Sequence, residues 1–583
     1  MYKQVFDPVS DSLALTSIFA VLPLITLFVL LGVVKLRAWV AGLISLAVAI
    51  GVAIFVYSMP VGQALDSGLE GAAFGLFPIM WIVINAIWIY NMTVETGHFD
   101  VLRRSFAKVS DDQRIQAMII AFCFGALMEA LAGFGTPVAI SSVMLIALGF
   151  RPIKAATIAL VANTAPVAFG ALAVPITTLA SPAVTNGQFT VDQLGSMVGR
   201  QTPILAIFVP LALVAIVDGM RGVRQTWPAA LVCGVSFGIA QYVCSNFISV
   251  PLTDIVAALV SALALIGFLR VWQPSEHYEE EPYADEPARR GRLTPRPVAG
   301  GMSEQVDPDF VARVRNADNQ VVDPPREVAR AYAPYLIIIA IFSLAQLAFL
   351  KGTPPTKVGQ SGTGLESVTR IFHWPGLDLL TSKGKPQSLM NFKFNWLSAG
   401  GTLLLIAGLV TMLVIGVGLR RALHAYAATL NQLKWAIVTV MAVLALAYVM
   451  NASGQTGTLG RWMAGAGGFF AFLSPILGWL GVAVTGSDTS SNALFGGLQV
   501  TAAKDAGLNP LLMAASNSSG GVLGKMISPQ NLAIAAAAVA MEGREGDLFR
   551  KVLFWSLGFL LFMGVLVYLQ STSVLSWMVP GGG

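Results

Sequence analysis

The sequence predicts an all-α polytopic membrane protein of about 12 spans, with two re-entrant helical hairpins and inverted-topology repeats that contain discontinuous helices. Three observations carry that expectation. Of the 583 residues, 55% are hydrophobic and only 11% charged, whereas soluble domains carry about 25% charged residues; the mean hydropathy is +0.71. Apolar runs of about 20 residues, the length that crosses a bilayer, recur from Leu13 to Leu569. Two further apolar stretches are too long for one span and have glycine-rich polar centres. Intrinsic disorder, a disulfide scaffold and a soluble enzyme are excluded as the main class. The net charge of +5 comes without a basic stripe interleaved with aromatics, so no nucleic acid is expected. Excess Lys and Arg instead marks cytoplasmic loops. Cys123, Cys233 and Cys244 lie in apolar runs without paired or metal-ligand spacing, which suits core packing.

The N-terminus lacks a basic n-region and a small-residue cleavage site, so Leu13–Val34 reads as a retained first span. Further spans are expected near 38–59, 69–92, 154–180, 201–218, 226–248, 252–271, 333–350, 396–418, 434–453, 510–540 and 552–572. One threading puts 25 of the 36 Lys and Arg on the cytoplasmic side, against 10 outside and Lys525 within a span. That bias orients the chain with both termini outside.

Residues 115–150 have basic residues at both ends and Gly133-Phe134-Gly135-Thr136-Pro137 in the middle. A helix that breaks there and returns to its own side satisfies both facts. Residues 467–503 repeat the pattern around Gly486-Ser487-Asp488-Thr489-Ser490-Ser491-Asn492. Non-helical backbone is not tolerated in lipid, so both tips are expected to be buried in protein or to line an aqueous cavity.

An internal repeat links the two hairpins. Thr96-Gly97 matches Thr456-Gly457, Gly133-x-x-Thr136 matches Gly486-x-x-Thr489, and Asn163, Gly170 and Pro175 match Asn517, Gly524 and Pro529 at a constant offset. The helices preceding the hairpins are seven crossings apart, an odd number, so the copies are expected to be inverted. The organisation is then 1–68, N-terminal spans; 69–218, repeat 1, with hairpin 115–150 and broken helix 154–180; 219–272, connecting spans; 273–331, a solvated cytoplasmic linker; 332–433, connecting spans with an external loop at 351–395; and 434–572, repeat 2, with hairpin 467–503 and broken helix 510–540.

Paired broken helices point to a secondary transporter with its substrate site near the midplane. The breaks come at Pro166, Gly170 and Pro175, and at Gly520-Gly521, Gly524 and Pro529. Each exposes a half-helix N-terminus, which favours an anion. A lone kink would serve only packing; symmetric pairs favour a site. Around them lie Asn163, Thr164, Asn517, Ser518, Ser519, Gln530 and Asn531, neutral groups suited to a carboxylate and an adjacent hydroxyl. Their bland role is to cap or bond back to their own helices.

Lys525 is the single basic residue inside a span, and a buried ammonium is by default functional. It binds the substrate carboxylate in one reading, and in the other forms a structural ion pair with Glu129 or Asp488. Those two acids at membrane depth are the proton-coupling candidates. Glu129 leads, because it sits among Ala, Leu and Met, whereas Asp488 has hydroxyl and backbone donors beside it and also suits a helix cap.

Leu131–Ile140 (LAGFGTPVAI), Gly486–Gln499 (GSDTSSNALFGGLQ) and Asn517–Leu532 (NSSGGVLGKMISPQNL) resemble the signature segments of the bacterial L-lactate permease family. The resemblance runs from the third span to the last; the linker 273–331 departs from it. It implies proton-coupled uptake of L-lactate, D-lactate and glycolate across the bacterial cytoplasmic (inner) membrane, without cofactor or metal. Some members of the wider ion-transporter superfamily bind anions at hairpin tips and move as elevators. That implies substrate contacts from Gly133, Phe134, Gly135 and Thr136, and from Ser487, Thr489, Ser490, Ser491 and Asn492. The partners are then a small monocarboxylate, protons and the lipid bilayer; a homo-oligomer is left open. A sodium-coupled or exchanging carrier is the alternative. A channel would need no symmetric breaks, and a membrane enzyme would need a nucleophile–base pair or metal cluster. Neither pattern exists around the scattered His98, His277, His373 and His424.

Overall fold

The computed structural model describes residues 1–580 apart from 35, 108, 133–134, 186, 280–322, 346, 356 and 542–543. Most of the expected linker, and Gly133 and Phe134 of the first tip, thus lie outside the described residues. Among those described, ten helical runs are long and apolar enough to cross a membrane. The bent pair Pro152–Ala162 and Val167–Leu179 makes eleven.

Several runs are broken in ways that position the site. Thr202–Val243 is 42 residues of helix, which would extend about 60 Å if straight. Yet the Thr202 hydroxyl donates to Gln241 Oε1 at 3.3 Å. The run therefore folds back on itself, at Asp218 and Gly219 (φ +62°), and is two antiparallel crossings. Val61–Glu95 is longer than the expected 69–92 and breaks at Phe77, whose φ of −134° is extended. The expected span 396–418 is a 16-residue helix, Gly400–Ile415.

One succession of elements occurs twice. A helix ending at Gly125–Ala132 turns into Thr136–Ala147, followed by Pro152–Ala162, a short turn, and Gly170–Leu179. Later, Phe470–Thr485 turns into Asp488–Asp505, followed by Pro510–Gly524, the turn Lys525–Ile527, and Pro529–Ala538. Both hairpin turns use a left-handed glycine, Gly135 at φ +86° and Gly486 at φ +74°, a conformation in which a Cβ is strained. Ser487 caps the second arm by accepting from the Ser490 N–H.

The loop 351–395 is folded rather than plain coil. Arg370–His373 pairs antiparallel with Asn391–Phe394, and Leu379–Leu380 pairs with Tyr2–Lys3 at the chain's start. On another face, Arg114 is nearly fully buried. It donates to Asp112 at 2.7 Å, Asp218 at 3.1 Å and the Glu276 carbonyl at 2.6 Å. Arg114, the basic residue just before the first hairpin, is thus a buried clasp that ties the start of the linker to the fold-back at Asp218.

Candidate functional site

The first broken helix loses its regular bonding between Asn163 and Ala173. Ala171, Leu172 and Ala173 are all left-handed, with φ of 45°, 54° and 60°, at about 1–2 kcal/mol each for residues with a Cβ. All three are buried, so surrounding packing holds them there. The unwinding brings the Gly170 backbone against Glu129: a Cβ on Gly170 would lie 2.8 Å from Glu129 Oε1. The second broken helix opens at Lys525–Ile527. Its Lys525 carbonyl accepts from Asn531 Nδ2 at 2.9 Å and from the Ser528 hydroxyl at 2.9 Å. Ser528 also caps the next helix at the Asn531 N–H.

Across the two breaks, Lys525 Nζ donates to Glu129 Oε1 at 2.6 Å, with both side chains buried. The other carboxylate oxygen has no partner among the described residues. Glu129 is therefore not the isolated acid that its Ala, Leu and Met neighbours in the sequence suggest. The attraction, about 6 kcal/mol at an effective dielectric of 20, stands against a desolvation cost of several kcal/mol per ion. The pair is thus close to break-even, a contact that another anion can compete for.

Beside the pair lies a narrow crevice lined by Val138, Leu160, Asn163, Thr164, Lys525, Met526 and Asn531. Its walls now close to below the width of a water molecule, so occupancy requires them to part. Asn163 is buried, and both its amide atoms lack partners among the described residues. Leaving a buried polar group unpaired costs about 1–3 kcal/mol, a cost that Asn163 carries on both amide atoms. Thr164, by contrast, donates back to the Val161 carbonyl at 2.7 Å.

The other expected site residues divide. Asn517 Nδ2 donates to Asn492 Oδ1 at 2.9 Å, and Gln499 Nε2 donates to Asn517 Oδ1 at 3.1 Å. Asn492 Nδ2 donates to the Pro175 carbonyl at 3.1 Å, tying the second hairpin to the first broken helix. Ser491 donates to the Gly478 carbonyl, Ser518 to Asp488 Oδ2 at 2.5 Å and Ser519 to Gln201 Oε1 at 2.7 Å. These groups are spent on one another and hold the second hairpin against its broken helix. Ser490 is buried, Thr136, Ser487 and Thr489 are half-buried, and Gln530 is exposed. Both tips nonetheless converge on the helix after Lys525. A Cβ on Gly135 would collide with Ile534 and approach Asn531, and one on Gly486 would lie 2.6 Å from Gln530.

Two further buried acids escape the sequence reading. Asp254 is fully buried, accepts from Gln241 Nε2 at 3.3 Å, and has Oδ2 unpartnered among the described residues. Glu70 is also buried, with Oε2 in the same condition. Each stands at the edge of an apolar run, where an acid looks like a flank. The signal that finds Glu70 is a helix that continues past it on both sides, Val61–Phe74; Asp254, in the first turn of Thr253–Phe268, offers no such signal. Among the described residues no group of three or more His, Cys, Asp or Glu is placed to hold a metal ion.

The family model described as L-lactate permease matches residues 16–574. The chain belongs to the L-lactate permease family. It is 42% identical over 590 residues to the L-lactate permease of Escherichia coli strain K12, covering all of both chains. It is 41% identical over 579 residues to the glycolate permease GlcA of the same strain, covering 98% of each. Among solved structures, MtrF of Neisseria gonorrhoeae aligns over 97% of this chain and 95% of its own, at 14% identity and a TM-score of 0.43. The family's members are permeases rather than enzymes, and this one is a multi-pass membrane protein.

Proposed function

We propose that this permease is a proton-coupled symporter that takes up L-lactate and related 2-hydroxymonocarboxylates, D-lactate and glycolate among them, across the bacterial cytoplasmic membrane. The observation that carries the reading is the buried Lys525–Glu129 pair beside a pocket lined by an unpartnered Asn163. In the empty site Lys525 is neutralised by Glu129. A carboxylate that joined them would add an uncompensated charge to a buried place, at several kcal/mol. A proton on Glu129 removes that penalty and releases the ammonium to the substrate carboxylate. Empty and loaded sites then carry the same net charge, so both cross the membrane on equal terms, and each substrate brings one proton. Asn163 has a donor and an acceptor for the 2-hydroxyl and carboxylate, while Val138, Leu160 and Met526 receive the methyl group of lactate. The names of the two Escherichia coli relatives, an L-lactate and a glycolate permease, support that substrate class.

In this reading 69–218 and 434–572 are inverted repeats, their hairpins enter from opposite sides, and Asp488 helps hold the second hairpin rather than carrying the proton. Uptake of labelled L-lactate into proteoliposomes under an imposed pH gradient tests the function. Accumulation with the proton gradient alone, accompanied by substrate-induced proton entry, is the expected result. Accumulation only under a sodium gradient, or exchange without accumulation under either, would replace it with the sodium-coupled or exchanging alternative.

A further inference from the structure

Among the described residues, Lys525 is the single cation in a neighbourhood of three buried acids. It pairs with Glu129 and lies within electrostatic reach of Asp254 and Asp488. One ammonium compensates one carboxylate; Asp254 and Asp488 both sit in the first turn of their helices and each has one oxygen unpartnered among the described residues, but Asp488 Oδ2 accepts from the Ser518 hydroxyl at 2.5 Å and from Asn492 Nδ2 at 3.5 Å. Asp254 has less support. Among the described residues its one bond is from Gln241 at 3.3 Å, and Oδ2 receives none. It is fully buried, and its helix, Thr253–Phe268, packs directly on the helix that carries Glu129. The same Gln241 amide donates to the Ala165 carbonyl at 3.2 Å, within the unwound segment that supplies Asn163 and Thr164 to the pocket. A carboxyl so placed is accommodated when it carries a proton.

We propose that Asp254 is the proton donor to Glu129 during coupling. The step is a swap. The O–H bond at Asp254 breaks as one forms at Glu129, and Lys525 turns from the newly neutral Glu129 to the substrate. The ionised Asp254 then recovers a proton from water on the side to which the site opens, while Gln241, held by the Thr202 hydroxyl, donates to its carboxylate. The charged and titratable groups facing Asp254 are Glu129 from its hairpin arm, Lys525 from the second break, and the Cys244 thiol from the end of the helix carrying Gln241. Asp254 acts on the proton and not on the substrate; its role rests on the symport reading and adds a second carboxyl to it.

Asp254→Asn keeps the shape and the acceptor for Gln241 but carries no titrating proton. Wild-type permease and the variant are compared in proteoliposomes for counterflow of labelled lactate at equal pH and for accumulation driven by a pH gradient. Because Glu129 must take a proton before lactate binds, the variant is expected to lose accumulation tenfold or more at neutral pH, and to regain counterflow within twofold of wild type at equal acidic pH, where water protonates Glu129 directly. Equal accumulation in both overturns the role, as does a counterflow that acidic pH fails to restore in a variant that remains monodisperse. If the Asn variant is not monodisperse, Asp254→Glu decides: a pH profile of uptake displaced by half a unit or more supports the role, and an unmoved profile overturns it. A wild-type protein that exchanges lactate but does not accumulate it on a pH gradient would instead remove the symport reading, before any variant is made.

Discussion

Removing Lys525 separates its part in holding the fold from its part in binding substrate. Lys525→Met keeps the apolar length of the side chain and deletes the charge. It leaves Glu129, whose side chain is 4% exposed, without its cation. Removing one partner of a buried pair costs about 3–5 kcal/mol, because the other charge is left uncompensated. Glu129→Gln in the same background removes that charge as well, so the double variant is expected to recover most of the loss. A coupling energy of about 2–3 kcal/mol, read from unfolding in mixed micelles, is the stability signature. Transport should not recover with it. Deleting a charge-assisted hydrogen bond to the substrate loses about 1.5–3 kcal/mol, and at 1.4 kcal/mol per tenfold lactate should bind about 10- to 150-fold more weakly in both Lys525→Met and the double variant. Additive stabilities within about 0.5 kcal/mol would show that the two residues are not energetically paired. Wild-type lactate affinity in Lys525→Met would end its assignment to the substrate.

Glu129→Gln alone leaves Lys525 permanently available, so lactate exchange is expected to persist while accumulation on a pH gradient falls to the equilibrium level; undiminished accumulation would exclude Glu129 as the coupling acid. Asn163→Ala removes a side chain with no protein partner among those described, so its stability should stay within about 1 kcal/mol of wild type while lactate affinity drops about tenfold; a large loss of stability with unchanged affinity would reverse the assignment. Gly486→Ala places a Cβ at φ +74°, 2.6 Å from Gln530, and should lower stability by about 1–3 kcal/mol; a neutral result would mean the tip rearranges freely. For orientation, cysteines at the exposed Arg151 and Lys504 should react with impermeant thiol reagents from opposite sides of the membrane, and reaction from one side only would remove the inverted-repeat reading. Arg114 is unsuitable as such a probe, since it is 1% exposed and clasped by Asp112 and Asp218.

Much of the architecture was legible because lipid enforces a simple rule. A backbone that leaves the helix at membrane depth must be signalled, and Gly133 to Pro137, Gly170, Gly486 and Pro529 are such signals. The turns after Ala132, before Gly170, after Gly486 and at Lys525 lie beside them. Span ends were less legible. Composition does not show that Val61–Phe74 extends the third span, because residues 61–68 are only moderately apolar. Nor does it show the clasp at Arg114, whose partners lie about 100 and 160 positions away.

The polar groups at the two breaks were legible in the sequence, but their bonding was not. Asn163 and Asn517 occupy matching places in the two broken helices and read as equivalents. Their fates differ through residues that no local pattern reveals. Gln499 and Asn492, on the arm after Gly486, satisfy Asn517 on both its amide atoms. The corresponding arm after Gly135 presents Val138, which leaves Asn163 unbonded and gives the pocket an apolar wall. Lys525 breaks the symmetry further, since Pro529 matches Pro175 but Ala171 stands where Lys525 would be matched. The chain therefore uses one copy of its repeat as a bonded scaffold. It leaves the other polar and unsatisfied, with Lys525 reaching from the first into the second. In the proposed reading, a site built in that way takes one anion at a time, on the side whose polar groups lack partners.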